Sequence, residues 1–484
     1  MRRLQELCTS WPALVAIYAL LALAVLLVFS QSTSPLWPHV AFDQSIFSVI
    51  GRNWAEGQLP YTTAWDSKGP IIFFFNMLGH RLSDGETGTF VLQAVNLTAV
   101  LCLCHGLLRS YFSSWRSLLA SVLFLLAYVI DCSGGNQVGD YTLLLSVGSV
   151  FCTYRWTLSL DERQYRHPWR YAFVYGLFFS ACLLSRLTNA MVLVVSVLAV
   201  LVVLVGHGLW RNLLANVLGF AAGFLVIFVP FAAYFAAHGA LGEMWYATFT
   251  YNLEYALHSS PINSEDSRFM AMYYLFYFIC LVSTVLSAVL NFLDGRRRSS
   301  TVWFVVSAVT LLWLTRSYAN ANYAISYLPL LLVALLQMTV GRVRLRYKFA
   351  RSLVAGIVLG GFANHVRVFS QYAVDGRETT EDQLTMVQDV PQTDSFVAYN
   401  CRPSIYLQAE RRPHCRFFVC QDWAIANGPT LRERVRTSFN ECRPQWILFA
   451  EAPEPCAISD ILERDYEPTK KDEAAGLILY KRRD

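Results

Sequence analysis

The sequence predicts a mainly α-helical polytopic membrane protein of about 11 transmembrane helices that ends in a small α/β domain. Of its 484 residues, 55% are hydrophobic and only 15% are charged, and the mean hydropathy is +0.38. Soluble domains carry about 25% charged residues, so this composition argues against a single soluble globular fold. Residues 1–369 hold 24 Lys and Arg against 15 Asp and Glu, whereas residues 370–484 hold 15 against 19. We therefore predict a membrane domain over 1–369 and a soluble domain over 370–484.

Eleven apolar segments are predicted as membrane spans, because a crossing needs roughly 20 apolar residues, or fewer within a bundle. They are 12–30, 88–108, 118–131, 141–160, 171–187, 189–206, 213–236, 270–293, 302–316, 326–340 and 352–369. The first follows Arg2 and Arg3, as in a signal peptide, but no small-residue cleavage site precedes Gln31, so we interpret it as a retained helix. We divide the stretch 171–206 at Arg186–Asn189, because the basic loops on its two sides require an even number of crossings.

The distribution of Lys and Arg predicts the orientation in the plasma membrane. With the N-terminus in the cytoplasm, the cytoplasmic loops collect 16 of the 24 basic residues of the membrane domain. The first outer loop, 31–87, and the C-terminal domain then lie outside the cytoplasm. Because the basic residues lie between spans rather than along one patch, the net charge of +5 does not indicate binding to nucleic acid.

Both outer regions are predicted to contain regular structure. The loop 31–87 has apolar and aromatic runs typical of two amphipathic helices at the membrane interface. In the tail the pattern predicts three strands and two helices, which make a small α/β domain. The strands are Ser395–Tyr399, Trp446–Ala450 and Gly476–Tyr480, and the helices are Thr430–Glu441 and Ile458–Tyr466.

Five of the twelve cysteines fall in the tail, where an extracytoplasmic position permits disulfides. They are Cys401, Cys415, Cys420, Cys442 and Cys456, and Cys132 in the second outer loop could supply a sixth. Their spacing does not fit a zinc site. Disulfide bonds and free thiols both remain open, and the sequence does not give the connectivity.

Ionisable residues in the apolar outer loops are candidates for function. Asp43 follows the first span, and Asp66 and Lys68 stand together in Trp65-Asp66-Ser67-Lys68-Gly69-Pro70. A structural interpretation also exists for two of them. Asp43 could cap an interfacial helix, and Lys68 could anchor the membrane surface ahead of a helix that begins at Pro70.

Two further candidates come from later outer turns. Asp140 precedes Tyr141 at the start of a span and could equally be a helix cap. Arg186 lies in the tight turn between two spans, where a cation needs a carboxylate or phosphate partner. Together the outer carboxylates could take a proton from a hydroxyl, while the cations hold an anionic leaving group. The sequence has no Walker A motif, dinucleotide-binding glycine loop, GxSxG elbow or HExxH motif.

The segment AFDQSIFSVIGRNWAEGQLPYTTAWDSKGPIIFFFNMLG resembles the first outer loop of the GT-C membrane glycosyltransferases. It is most similar to the bacterial branch related to protein O-mannosyltransferases and lipid A aminoarabinose transferases, which carries an early Asp and then a Tyr…Lys-x-Pro segment. Asp43, Tyr61 and Lys68 match those positions. GGNQVGDYTLLL is similar to the acidic-aromatic pair of the second loop. LLSRLTNA is similar to a Leu-Arg-Pro-Asn segment, but Thr188 replaces the proline.

The resemblance implies an inverting glycosyltransferase that takes a sugar from a polyprenyl-phosphate donor and acts outside the cytoplasm. Asp43 would be the catalytic base, and Lys68 and Arg186 would bind the donor phosphate. Asp66, Asp140 and Tyr61 would orient the acceptor, which is a cell-surface glycan, lipid or protein. No cofactor is certain. A divalent cation is an option, with Asp43 and Asp140 as its candidate ligands.

The main alternative is a flippase or transporter for lipid-linked sugars. A transporter is expected to place ionisable groups near the bilayer midplane, on broken helices in repeated halves. Here the acids cluster at one membrane face and the sequence has no internal repeat. This arrangement favours the enzyme.

Overall fold

The protein is mainly helical, with a small sheet near its C-terminal end. The computed structural model describes residues 10–36, 41–131, 135–258, 284–316, 325–337, 344–420, 422–426, 428–450 and 456–483. The helices of the first part are α1 (Trp11–Phe29), α2 (Phe42–Ala55), α3 (Pro70–Leu82), α4 (Thr87–Leu108), α5 (Ser114–Asp131), α6 (Leu143–Asp161), α7 (Trp169–Leu183), α8 (Met191–Gly206), α9 (Trp210–Ala237), α10 (Leu241–Trp245), α11 (Tyr251–His258), α12 (Thr284–Leu293), α13 (Arg297–Arg316), α14 (Leu328–Gln337) and α15 (Arg344–Val387).

Five helical segments in the described residues are long and apolar enough to cross a membrane. They are Trp11–Phe29, Thr87–Leu108, Asp140–Asp161, Leu187–Gly206 and Trp210–Ala237. Shorter apolar helices accompany them, so the predicted membrane character is confirmed but the count of eleven spans is not. Part of the predicted span 270–293 lies outside the described residues.

The predicted break near Arg186 is present. Helix α7 ends at Leu183, a short 3₁₀ turn spans Leu187–Ala190, and α8 begins at Met191. Arg186 has an extended backbone at the head of the 3₁₀ turn. Because α7 ends here, the carbonyl groups of Leu184 and Ser185 accept hydrogen bonds from a neighbouring loop.

The first outer loop contains two helices, as predicted. Helix α2 carries Asp43 in its first turn, where the helix dipole favours a negative charge. Helix α3 begins with Pro70, and proline at the first turn costs no hydrogen bond. The two helices approach closely, since a Cβ on Gly51 of α2 would lie 2.4 Å from Cβ of Asn76 in α3.

The C-terminal sheet has the strand order β1-β2-β4-β3. β1 (Phe396–Tyr399) pairs parallel with β2 (Trp446–Ala450), which pairs antiparallel with β4 (Leu477–Arg482), and β4 pairs antiparallel with β3 (Tyr466–Asp472). The helices here are α16 (Ser404–Gln408), α17 (Asp422–Ala426), α18 (Pro429–Cys442) and α19 (Ser459–Asp465).

Helix α15 and the apolar core join this domain to the rest of the molecule. α15 continues to Val387, so the predicted boundary at 369/370 falls inside a helix. One continuous cluster of buried side chains includes Phe47 of α2, Phe73 of α3 and Tyr399 of β1. The C-terminal domain therefore packs directly on the first outer loop.

The tail cysteines form one disulfide bond among the described residues, between Cys415 and Cys442. Cys401, Cys420 and Cys456 are buried free thiols. Cys132 lies outside the described residues.

The loop before α3 docks on the α7–α8 turn through backbone hydrogen bonds. The N–H of Gly69 donates to the carbonyl of Ser185 at 3.1 Å, and the N–H of Ile71 donates to that of Leu184 at 3.2 Å. A Cβ on Gly69 would lie 2.1 Å from the carbonyl oxygen of Leu184. Only glycine permits this approach, because the obstructing atom belongs to a backbone.

We expect Gly69→Ala to lower the free energy of unfolding by about 1–3 kcal/mol, the usual cost of inserting a methyl group into a packed site. Thermal unfolding of the purified protein in detergent measures the change. Gly242→Ala is the matched control, because a Cβ on Gly242 would meet no atom within 4 Å. Equal unfolding temperatures for both variants would contradict the docking.

Candidate active site

The loop Trp65–Gly69, which we call the charged loop, is held through its backbone by several separate parts of the chain. The N–H of Trp65 donates to the carbonyl of Arg416 in the C-terminal domain at 2.9 Å. The carbonyl of Lys68 accepts the hydroxyl hydrogen of Tyr61 at 2.9 Å. With the Gly69–Ser185 bond, these contacts fix both ends of the segment that carries Asp66 and Lys68.

Within the charged loop, Asp66 and Lys68 form a local ion pair. Lys68 Nζ lies 3.9 Å from Asp66 Oδ1, and the Lys68 N–H donates to the same oxygen at 2.9 Å. Both side chains are largely buried, at 14% exposure for Asp66 and 22% for Lys68. A buried carboxylate needs such partners, because removing the charge from water is costly.

Asp43 lies close enough to Asp66 for its negative charge to act on the Asp66 carboxyl group. Burial raises the pKa of Asp66 above its usual range, and the negative charge of Asp43 raises it further, while Lys68 lowers it. The structure therefore brings together three residues that the sequence singled out, namely two carboxylates and one ammonium group. The half-buried Asp43 side chain leaves access for a substrate.

Arg186 lies beside the charged loop. The neighbouring residue, Ser185, accepts the hydrogen bond from Gly69, which directly follows Lys68. Arg186 itself is half-buried. The two predicted phosphate-binding cations thus come from two chain segments that are joined by backbone hydrogen bonds.

Tyr61 supports the charged loop through its hydroxyl group, which donates to the Lys68 carbonyl. Its side chain is fully buried and packs on Phe73 and Phe235, with ring centroids 5.7 and 5.6 Å apart. Its φ of 68° is unusual for a residue with a side chain, and such strain concentrates at functional sites. The hydroxyl group donates to the backbone carbonyl of Lys68, so it contacts the charged loop. The predicted acceptor contact stays a prediction.

Asp140 belongs to a neighbouring network. Its Oδ2 accepts the N–H of Gln137 at 2.9 Å, and its backbone carbonyl accepts Nδ2 of Asn96 at 2.8 Å. The adjacent Tyr141 donates to Asn136 and stacks on Phe75 of α3, with ring centroids 4.2 Å apart. These contacts show Asp140 as part of the turn that opens α6. Its predicted role in orienting an acceptor stays a prediction.

A candidate metal site is not evident in the described part of the chain, where no three His, Cys, Asp or Glu side chains group closely enough to hold an ion. The divalent cation, with Asp43 and Asp140 as its candidate ligands, stays a prediction.

The C-terminal domain contributes a contact that the sequence did not predict. Glu243 of α10 binds Arg416 and also Arg434 of α18, the latter at 2.9 Å. Partial burial alone would raise the pKa of Glu243, but these two guanidinium groups lower it overall. Trp65 of the charged loop packs on Phe417, with ring centroids 5.3 Å apart. The C-terminal domain thus forms one side of the candidate site.

Asn252 of α11 is a second contact that sequence reasoning missed. Its Nδ2 donates to the carbonyl of Ser67 at 2.8 Å. Its neighbour Tyr251 also reaches the charged loop, since its ring meets that of Trp65 edge-on at 5.3 Å. A lone asparagine in an outer loop carries no signal of its own.

Comparisons of the sequence find no matching family model and no matching curated protein. Comparison of the structure finds ArnT from Cupriavidus metallidurans in the apo state, at 14% identity, with 98% of each chain covered and a TM-score of 0.58. ArnT from the same organism bound to undecaprenyl phosphate matches at 14% identity, 98% coverage of each chain and a TM-score of 0.54. The predicted fold is therefore confirmed: this chain shares the GT-C fold of ArnT.

Proposed function

We propose that the protein is an inverting glycosyltransferase that moves a sugar from a polyprenyl-phosphate donor to a cell-surface glycan, lipid or protein. The observation that carries the proposal is the grouping of Asp43, Asp66 and Lys68 beside the Arg186 turn. The GT-C fold supports it, and so does ArnT, whose structure was obtained with undecaprenyl phosphate bound.

The reaction is a single displacement at the anomeric carbon of the donor sugar. Asp43 accepts the proton of the acceptor hydroxyl as the acceptor oxygen forms its bond to that carbon. The bond between the carbon and the phosphate oxygen breaks, and its electron pair leaves with the polyprenyl phosphate. Attack opposite the leaving group inverts the configuration, and the base and the cations therefore face opposite sides of the reacting carbon.

Lys68 and Arg186 stabilise the negative charge that develops on the departing phosphate. Charge-assisted hydrogen bonds of this kind are roughly twice as strong as neutral ones. In a partly buried site they are stronger still, because less water competes for the phosphate. Asp66 orients Lys68 through its carboxylate and through the Lys68 N–H. We also assign Asp140 and Tyr61 to orienting the acceptor.

The proposed reaction takes place outside the cytoplasm, in the plasma membrane. The bias of Lys and Arg toward one set of loops supports a cytoplasmic N-terminus and an extracytoplasmic C-terminal domain. Charged loop, Arg186 turn and C-terminal domain contact one another and so lie on the same side. Membrane lipids surround the spans.

We expect Lys68→Ala to weaken binding of undecaprenyl phosphate about tenfold or more, because the variant loses a charged contact worth about 1.5–3 kcal/mol. Titration of the protein in lipid nanodiscs with undecaprenyl phosphate measures the affinity. Lys471→Ala, which removes a half-exposed lysine of β3, is the control. Unchanged affinity in Lys68→Ala would support the anchoring role of Lys68 instead.

We expect Asp43→Asn to lower the rate of sugar transfer by about 10²–10⁴-fold, the usual contribution of a general base. Binding of undecaprenyl phosphate should persist, since the shape of the side chain is kept. The assay uses membranes that contain the protein and a panel of polyprenyl-phosphate sugars, with Asp84→Asn, an exposed loop residue, as control. Normal turnover by Asp43→Asn would remove Asp43 as the base.

Movement of the intact lipid-linked sugar across the membrane without transfer of the sugar would favour a flippase.

A further inference from the structure

A π-helical turn interrupts the outer segment next to the charged loop. Residues Tyr246–Thr250 form this turn between α10 and α11, and the N–H of Tyr251 bonds to the carbonyl of Tyr246. Such turns insert one extra residue into a helix and are frequent at functional sites. The extra residue rotates the residues that follow it, so the turn decides which side chains of α11 face the charged loop.

The two residues after the π turn contact both sides of Asp66. The ring of Tyr251 packs edge-on against Trp65, which precedes Asp66. The amide of Asn252 donates to the carbonyl of Ser67, which follows Asp66, at 2.8 Å. The same nitrogen lies 3.0 Å from the carbonyl of Ala247 and 3.1 Å from that of Thr248. Asn252 thus joins the π turn to the charged loop.

The peptide unit between Ser67 and Lys68 is held at both of its polar ends. Its carbonyl oxygen accepts from Asn252, and its N–H donates to Asp66 Oδ1 at 2.9 Å. A peptide unit is planar, so fixing both ends fixes its orientation. The two hydrogen bonds also polarise each other, and each one strengthens the other. A rotation of this peptide would remove the N–H from Asp66 and redirect Lys68.

Asn252 is exposed, which separates its role from ordinary core packing. Its removal opens no cavity, and water can solvate the Ser67 carbonyl in its place. The cost to global stability is therefore expected to be small. What the substitution does remove is the hydrogen bond from Asn252 to the Ser67 carbonyl, which orients the backbone beside the Asp66–Lys68 pair.

We propose that Asn252 is a positioning residue that holds the Ser67–Lys68 peptide so that Lys68 is presented to the phosphate of the lipid-linked donor. This inference rests on the proposed function, and it assigns the outer segment 246–252 a part in donor binding. Asn252 does not touch the reacting atoms. It acts through the peptide that connects the two charged residues.

The test measures binding of undecaprenyl phosphate to the full-length protein in nanodiscs, together with the unfolding temperature. Asn252→Ala and Asn252→Asp each remove the amide donor, and we expect both to bind about three- to tenfold more weakly at an unchanged unfolding temperature. Asn252→Gln retains an amide donor and should recover most of the affinity. His258→Ala is the control, because His258 is an exposed residue of the same helix whose ring, within the described part of the chain, hydrogen-bonds to the carbonyl of Glu254.

Wild-type affinity in Asn252→Ala and Asn252→Asp would overturn the positioning role. So would an equal loss in His258→Ala, or a loss that follows a lowered unfolding temperature, since each would show a general effect on α11. Lys68→Ala is measured in parallel. If Lys68→Ala binds normally, the proposed donor site fails, whereas a weakened Lys68→Ala with normal Asn252 variants refutes only the role of Asn252.

Discussion

The backbone of the charged loop is bound at successive residues to different parts of the molecule, and the geometry of the site depends on this. Trp65 is held by the C-terminal domain, Ser67 by α11, Lys68 by Tyr61 and Gly69 by the α7–α8 turn. Because these are backbone contacts, they fix the path of the chain independently of the side chains that do the chemistry. The paired side chains of Asp66 and Lys68 are therefore carried by a segment whose backbone is already fixed, and under the proposed function this preorganisation would lower the cost of positioning the donor.

The same arrangement sets the electrostatics of the site. The Asp66 carboxylate and the Lys68 ammonium group lie in largely buried surroundings, where charges interact more strongly than in water, and Asp43 acts on them from a half-buried position. Burial and the nearby Asp43 raise the pKa of Asp66, while the paired Lys68 opposes that change. A bound phosphate would compete with Asp66 for Lys68, and the departure of the phosphate would restore the ion pair. Under the proposed function, the local pair would therefore give Lys68 a partner whenever no donor phosphate is bound.

The sequence predicted the membrane class, the two helices of the first outer loop and the break at Arg186, because each depends on local hydropathy or on a local proline or arginine. Three tail strands followed from alternation, but β3 did not. Four of its seven residues are charged and one is Pro468, and the ladder with β4 has an irregularity between Pro468 and Lys470. Proline and irregular pairing are typical of an edge strand, whose sequence pattern is weak.

The candidate site was only partly predictable. Asp43, Asp66 and Lys68 lie in one short stretch that resembles a known loop, whereas Arg416 and Asn252 reach that stretch from distant parts of the chain. A contact made by a backbone carbonyl group or by one exposed amide side chain produces no pattern that can be recognised in the sequence. The role of the C-terminal domain as a wall of the site likewise appears only once the chain is folded.

A structure of the protein determined with bound undecaprenyl phosphate would test the placement of the donor most directly. The proposed function predicts phosphate oxygens within hydrogen-bonding distance of Lys68 Nζ and the Arg186 guanidinium group, with Asp43 on the opposite side of the donor sugar. A phosphate bound out of reach of both cations, or at the other membrane face, would contradict the assignment.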